Sequence, residues 1–370
     1  MQIECLKDIL QEKISLLQGS ISKNLTLPIL NNILIQTDNG RIKLATTNLE
    51  IGMIAWIGGK IINPGEITVP LKPLIGILNN ISSEKVILKL EKDNLIIEGG
   101  SFKISLKGMA GKDFPIIPKV ENGIEFKMSA EKFKKAVLKI LPAVSISETR
   151  PELTGVLIEL IEKRLNFVGT DGFHLAKTAI VVETNEVRDD FNIIAPAKTI
   201  TEAVKCIGNS SGEILIRISE SQILFNLNNN ISVISRIIEG QYPPYKEIMP
   251  NNIGTKLFLN KDELLKSVKM AGIFTPVKSM EISFSQKDDN NVEIQSSSSE
   301  IGENSSILKA DIQGNKINQF TFNYRYLLDG ISQVDSDNVC FSINDTNTPI
   351  IITSDKEDEN NFLYLMMPLK

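Results

Sequence analysis

The sequence predicts an α+β protein made of three tandem repeats of one domain, each with two helices packed on antiparallel sheets. Three observations predict it. A strand–turn–strand joint occurs three times, a strand-to-helix passage opens each third, and a second helix follows each joint. The clearest joint is Gly169-Thr170-Asp171-Gly172-Phe173-His174-Leu175-Ala176. Alternating Leu165-Asn166-Phe167-Val168 leads into it and the apolar run from Leu175 to Val182 leaves it, so the Thr-Asp-Gly turn links two strands. Asp171 reads as a turn former whose side chain bonds to the following backbone. Ile42-Lys43-Leu44-Ala45 likewise runs into Thr47-Asn48-Leu49-Glu50-Ile51, and Val292-Glu293-Ile294-Gln295 into Ser297-Ser298-Ser299-Glu300-Ile301. Ile42, Leu165 and Val292 stand 123 and 127 positions apart. That period suits domains rather than solenoid units, because each copy can bury its own core.

The opening elements are Ile3 to Gln18, Phe126 to Val144, and Leu257 to Ile273, each passing from a short strand into a helix. Leu10, Phe133 and Leu264 occupy one site, and Ile14, Val137 and Val268 the site four residues on, the spacing of one helical face. Ser129 and Asn260 are suitable N-caps, Glu263 completes a capping-box spacing, and the first copy lacks a cap. The second helix is predicted at Val69 to Ile81, Ala195 to Ile207, and Phe322 to Val334, with Pro70 and Pro196 in the first helical turn. Each third then closes on alternating strands, Val86 to Leu90, Ile214 to Ile218, and Val339 to Ile343. Polar, Gly-containing links at Val120-Glu121-Asn122-Gly123 and Pro250-Asn251-Asn252-Ile253-Gly254 set the domains at 1–121, 122–252 and 253–370. The Ser296 to Ser299 run reads as a solvated loop.

Composition predicts a soluble chain of two or three domains. No apolar run approaches the roughly 20 residues needed to cross a bilayer, so no membrane span is expected. Glu4, Lys7 and Asp8 interrupt the N-terminal stretch, unlike a secretory signal, so the cytoplasm is the expected compartment. Cys5, Cys206 and Cys340 are widely separated and odd in number, which suggests neither a disulfide framework nor a zinc site. No cofactor or metal is expected.

The formal net charge of −5 argues by itself against a nucleic-acid partner, but its distribution argues otherwise. The six helical segments carry thirteen bases against seven acids, so an acidic chain has placed its surplus base on one repeated element. Lys72, Lys198 and Arg325 recur at one repeat position.

No phosphate loop, dinucleotide fingerprint, His-Glu-x-x-His or Gly-x-Ser-x-Gly occurs. With one histidine in the chain, Asp171 and His174 are the best candidates for an acid/base pair, and a hydrolase centred on them is one alternative. A monomeric peptide-binding scaffold is another. At the C-terminus, Phe362 to Leu365 reads as a last strand, leaving Met366, Met367 and Leu369 as an adaptable apolar surface.

In order along the chain stand Thr26-Leu27-Pro28-Ile29-Leu30-Asn31-Asn32, Asp113-Phe114-Pro115, Pro151-Glu152-Leu153-Thr154-Gly155-Val156, Thr170-Asp171-Gly172, Ile238-Glu239-Gly240-Gln241-Tyr242-Pro243, Tyr326-Leu327-Leu328-Asp329-Gly330 and Met367-Pro368-Leu369. In this set and spacing the whole chain resembles the bacterial β sliding clamps, the processivity subunits of DNA polymerase III. The resemblance implies three DNA-clamp domains and a head-to-tail homodimer whose six domains close around duplex DNA, without sequence specificity and without chemistry of its own. It implies partners too, namely the replicative polymerase, the clamp loader and repair polymerases, all docking through short peptide motifs at replication forks.

The resemblance implies a partner-peptide pocket of Leu153, Thr170, Gly172, Phe173, His174 and Leu175, joined by Pro243, Ile248, Asn323 and Tyr326 and by Leu365, Met367, Pro368 and Leu369. Many members have His-Arg where this chain has Phe173-His174, and Glu247 stands where a base can occur. Facing DNA it implies Lys23, Lys72, Lys132, Lys135 and Lys139, with Arg150, Lys198, Lys205, Lys266 and Arg325; Asn24 stands where some members have a base. At the dimer contact it implies Ile77, Ile104 and Leu106 against Ile273 and Phe274, with Lys103 or Lys107 facing Glu300 or Glu303.

Overall fold

The computed structural model describes residues 1–21, 27–182, 190–209, 211–227, 230–250, 252–276, 279–317, 319–356 and 361–369. Among them are six α-helices: α1 (Lys7–Leu16), α2 (Leu71–Asn80), α3 (Ala130–Ile140), α4 (Ala197–Ile207), α5 (Lys261–Ile273) and α6 (Tyr324–Ser332). The chain forms two compact units, one from the described parts of residues 1–134 and 198–237, the other from those of 135–183, 189–197 and 238–370. The central third therefore contributes to both.

In the first unit a five-stranded antiparallel sheet runs Lys60–Asn63, Gln2–Leu6, Lys85–Glu91, Asn94–Gly99, Phe102–Lys107. A nine-stranded sheet joins first-third to central-third strands where Ile51–Ile57 pairs with Ile231–Arg236, Met53 opposite Val233. Leu34, Ala45, Ile54, Phe114, Val120, Leu224 and Ile234 make one buried cluster across that seam. The twelve-stranded sheet of the second unit repeats the device. There His174–Val181 pairs with Leu363–Met366, and His174 stands opposite Met366.

The helix faces are those the periodicity predicts. Leu10, Ile14, Phe133, Val137, Leu264 and Val268 are all fully buried, since a four-residue spacing stacks side chains on one face. Asn260 Oδ1 accepts the Glu263 N–H at 3.1 Å and Ser129 Oγ the Lys132 N–H at 3.3 Å, while α1 has no side-chain cap.

Three expectations are corrected. The second helices start later than predicted, at Leu71, Ala197 and Tyr324. Val69-Pro70, Ala195-Pro196 and Phe322-Asn323 finish the preceding strands, with Pro70 opposite Asn32 and Pro196 opposite Gly155. Pro70 is thus an N-cap, not a first-turn residue; proline is tolerated at a strand end because its missing N–H costs no interior ladder bond. Ser296 to Ser298 belong to the strand Asn291–Ser298, and Ser296 is buried, since alternation continues through the serines. Met366 is wholly buried as the last residue of Leu363–Met366, so the exposed end begins only at Met367.

Candidate functional site

Five of the fourteen residues predicted for the pocket line one cavity beside the Thr170–His174 turn. Its two strands, Arg164–Thr170 and His174–Val181, pair with Thr170 opposite Leu175. Side chains close the turn on the backbone. Asp171 Oδ1 accepts the N–H of Phe173 at 2.8 Å and of His174 at 3.0 Å. Thr170 Oγ1 donates to the His174 carbonyl at 2.6 Å and accepts the Gly172 N–H at 3.0 Å, with Gly172 at φ +95°. The first joint repeats this bond for bond. Asn48 Oδ1 takes the N–H of Glu50 (3.0 Å) and Ile51 (2.7 Å), while Thr47 Oγ1 bonds the Ile51 carbonyl and the Leu49 N–H, both at 3.0 Å. Asp171 is thus the turn former the sequence predicts, which accounts for it without acid/base chemistry.

His174 is 4% exposed and lies between two rings, its centroid 4.0 Å from Tyr326 and 5.7 Å from Tyr364. Its Nε2 is 3.3 Å from Asp171 Oδ2. Burial pushes the Asp171 carboxyl up, but the side-chain hydrogen bond from His174, the backbone N–H groups of Phe173 and His174 and the electrostatic pull of His174 together hold the group below its ordinary value. An ionised carboxylate only accepts, so His174 is the donor in this contact, through Nε2. Burial raises the Asp329 carboxyl, against the opposing pull of His174 and Arg325.

A cavity of about 680 Å³ is lined by Leu153, Gly172, Phe173, His174 and Tyr326 of the predicted set. Phe173 is 64% exposed and Ile146, on the same cavity, fully exposed. The other nine predicted residues do not line it. Leu175 and Leu365 are buried in a core with Tyr245, against which Tyr242 and Met249 of the segment bearing Pro243 and Ile248 also pack. Asn323 caps α6, accepting the Arg325 N–H at 3.0 Å, and Thr170 is buried beneath the turn. The Met367 N–H donates to the Phe173 carbonyl (3.1 Å) and the Leu369 N–H to the Thr321 carbonyl (2.8 Å), with Pro368 buried between them. Sequence reasoning missed Pro142, Val144, Ser145, Ile146, Ser147, Thr149 and Asp329, which also line it, as does Asp171. The available signal was the polar stretch Ser145 to Arg150, with one isolated Ile146, between α3 and Pro151.

The bases divide. Lys72, Lys132, Lys198 and Lys266 are exposed on their helices, and Lys205 is exposed beside Glu202 at 2.8 Å. Arg150 and Arg325, expected to face DNA, line the cavity with Phe173 and His174. Lys135 and Lys139 both reach Asp335 Oδ2, at 3.0 and 2.7 Å. Lys139 is buried, 5.0 Å over the Phe362 ring, so in this chain it is not presented to solvent as expected. Lys23 lies outside the described residues.

Of the residues expected at a dimer contact, Ile273, Glu300 and Glu303 are exposed, and Ile77, Ile104, Leu106 and Phe274 half-buried. Ile104 and Leu106 belong to an edge strand, Phe102–Lys107, where Lys103 is 2.9 Å from Glu98. Among the described residues no cluster of three His, Cys, Asp or Glu could hold a metal. The three cysteines are buried, and burial lifts the Cys5 and Cys206 thiols to about 12, as for inert core residues. No helix among the described residues is long and apolar enough to cross a membrane.

Three family models match in order along the chain: DNA polymerase III beta subunit, N-terminal domain, over residues 1–118, central domain over 127–244, and C-terminal domain over 246–370. The chain is 25% identical to the beta sliding clamp of Synechocystis, covering 100% of this chain and 99% of that protein, and 28% identical to the beta sliding clamp of Staphylococcus aureus, covering 95% and 94%. The solved DNA polymerase sliding clamp from Bacillus subtilis has a TM-score of 0.95 at 24% identity, covering 100% of this chain and 99% of that one, a likeness of fold. With its three domains matched in succession and its full length covered, the chain belongs to the DNA polymerase III beta subunit family, the bacterial sliding clamps.

Proposed function

We propose that two copies of this chain join head to tail around duplex DNA and tether the replicative polymerase, clamp loader and repair polymerases, with no chemistry of their own. The observation that carries this is the succession of all three family domains along one uninterrupted chain. Tethering of this kind is topological, so phosphate contacts are numerous, individually weak and blind to sequence. Lys72, Lys132, Lys198 and Lys266, exposed on α2, α3, α4 and α5, are the proposed DNA-facing bases. Partner peptides dock at the cavity beside the Thr170–His174 turn, where apolar walls and a few polar groups suit a short anchor segment.

The test is retention on DNA. Protein loaded by a clamp loader onto nicked circular DNA should stay bound through high salt and leave when the circle is cut. Loss from intact circles at the same rate as from linear DNA would sink the ring, leaving a peptide-binding scaffold.

A further inference from the structure

Lys135 of α3 and Lys266 of α5 stand at one repeat position, 131 residues apart like Phe133 and Leu264, yet the fold gives them different surroundings. Lys266 is exposed, and among the described residues it makes no salt bridge. Lys135 Nζ lies 3.0 Å from Asp335 Oδ2, and the same oxygen takes Lys139 Nζ at 2.7 Å. Lys139 is 4% exposed, with its ammonium 5.0 Å over the Phe362 ring, so a phosphate cannot reach it. Burial pushes the Asp335 carboxyl up, but hydrogen bonds from Lys139 and Lys135 and their electrostatic pull hold it below its ordinary value, so it is ionised at neutral pH. Two ammonium groups and one carboxylate leave a single positive charge here, with one lysine sealed beside Phe362 and the other turned onto an acid.

We propose that Asp335 stands in for a DNA phosphate, occupying Lys135 and Lys139 and withholding them from the duplex. The proposal rests on the reading that the basic helix faces line the DNA. A carboxylate oxygen accepts from an ammonium as a phosphate oxygen does, so a phosphate brought to Lys135 must displace Asp335 or sit beside its charge. An exposed ion pair alone is weak. This carboxylate is nevertheless fixed, because leaving would strand the buried ammonium of Lys139 without its partner. Asp335 therefore interrupts the basic lining at α3, where Lys132 stays exposed, and lightens the grip on DNA at that point. A topologically retained ring loses nothing by this, since its hold does not depend on any one phosphate contact.

The test uses full-length protein and a short linear duplex, with association read by fluorescence anisotropy from about 50 to 200 mM salt. Lys266→Ala should lower the log–log salt slope by about 0.9, the loss of one phosphate contact, while Lys135→Ala should change it little. Asp335→Asn, which keeps an oxygen on Lys139, should release Lys135 and steepen the slope by about 0.9, and adding Lys135→Ala should cancel that gain. Glu131→Gln is the control for general charge, since Glu131 is exposed on the same helix and makes no salt bridge among the described residues. An equal fall in slope for Lys135→Ala and Lys266→Ala overturns the proposal. So does an unchanged slope in folded Asp335→Asn, or an equal gain for Glu131→Gln and Asp335→Asn. If neither lysine variant moves the slope, the helix faces do not line DNA, and the proposal falls with that reading. Melting temperature is the folding control; should Asp335→Asn fail to fold, the comparison of Lys135→Ala with Lys266→Ala decides by itself.

Discussion

Leu49 and Gly172 occupy the same place in two copies of one turn, at φ +77° and +95°. Only glycine takes this region freely; a side chain there costs about 1–2 kcal/mol. Gly172→Ala should therefore destabilise by about 1 kcal/mol from the backbone alone, because a Cβ at Gly172 meets nothing within 4 Å. Leu49→Gly should leave the melting temperature unchanged or higher, since relieved strain offsets the glycine's greater chain entropy. A clear fall in Tm would mean that the exposed Leu49 side chain packs usefully. Asp171 gives a pH-dependent prediction. Its folded value is depressed, so its contribution is fully present above the unfolded value of about 3.9 and is lost as pH falls through the folded value. Asp171→Asn should lower stability at neutral pH and flatten the acid limb below about pH 4 in urea titrations from pH 2 to 7. The turn and its Asx bonds were legible in Thr170-Asp171-Gly172 because they are local. The imidazole's place between Tyr326 and Tyr364 was not, since those rings arrive from more than 150 positions away in the sequence.

Helices were legible to their faces and less so to their ends. A four-residue apolar spacing located the buried sites of α1, α3 and α5, but Pro70 and Pro196 suggested first-turn residues where the chain is still in a strand. The sequence signal is the same in both cases, a fixed φ and no N–H; the neighbouring strand decides which is formed. Two substitutions measure the elements. Asn260→Ala removes the side-chain acceptor that caps the first turn of α5 and should cost about 1 kcal/mol. Phe133→Ala empties a wholly buried site beside the Phe225 ring, 5.5 Å away, and should cost about 3–5 kcal/mol in denaturant unfolding. Equal effects would mean that the interior around α3 collapses onto the vacancy. Lys139 shows the limit of charge counting, because one carboxylate, Asp335, turns a helix-face base into a buried one.

At the scale of the molecule, the last strand bears on partner binding through its end. Since Met366 is buried and paired with His174, a truncation intended to spare the strand must begin at Met367. Removing residues 367–370 should leave the melting temperature within a few degrees and weaken partner-peptide binding by about 30- to 1,000-fold, the range for losing an anchor's wall. Equal affinity in two folded samples would detach the C-terminus from the site. Assembly is tested at the proposed contact, where Ile273 is exposed and Phe274 half-buried. Exposed ion pairs contribute only about 0–1 kcal/mol each, so apolar contact should dominate. Ile273→Asp with Phe274→Asp should then give monomers by light scattering at low micromolar concentration, and a persisting dimer would place the interface elsewhere.

The sequence by itself determined the threefold repeat, the α+β class, the joints with their turn chemistry and the buried helix faces. Each depends on periodicity or on bonds within a few residues, where the chain is its own context. Tertiary structure alone decided which residues share a cavity and which charges remain free. Arg325 and Lys139 read alike in the sequence as bases on helices, yet one lines a groove beside Phe173 and the other is buried on Asp335. The difference comes from partners distant in the chain, since a charge becomes a contact, a core group or a solvated face according to what the fold sets within a few ångströms of it.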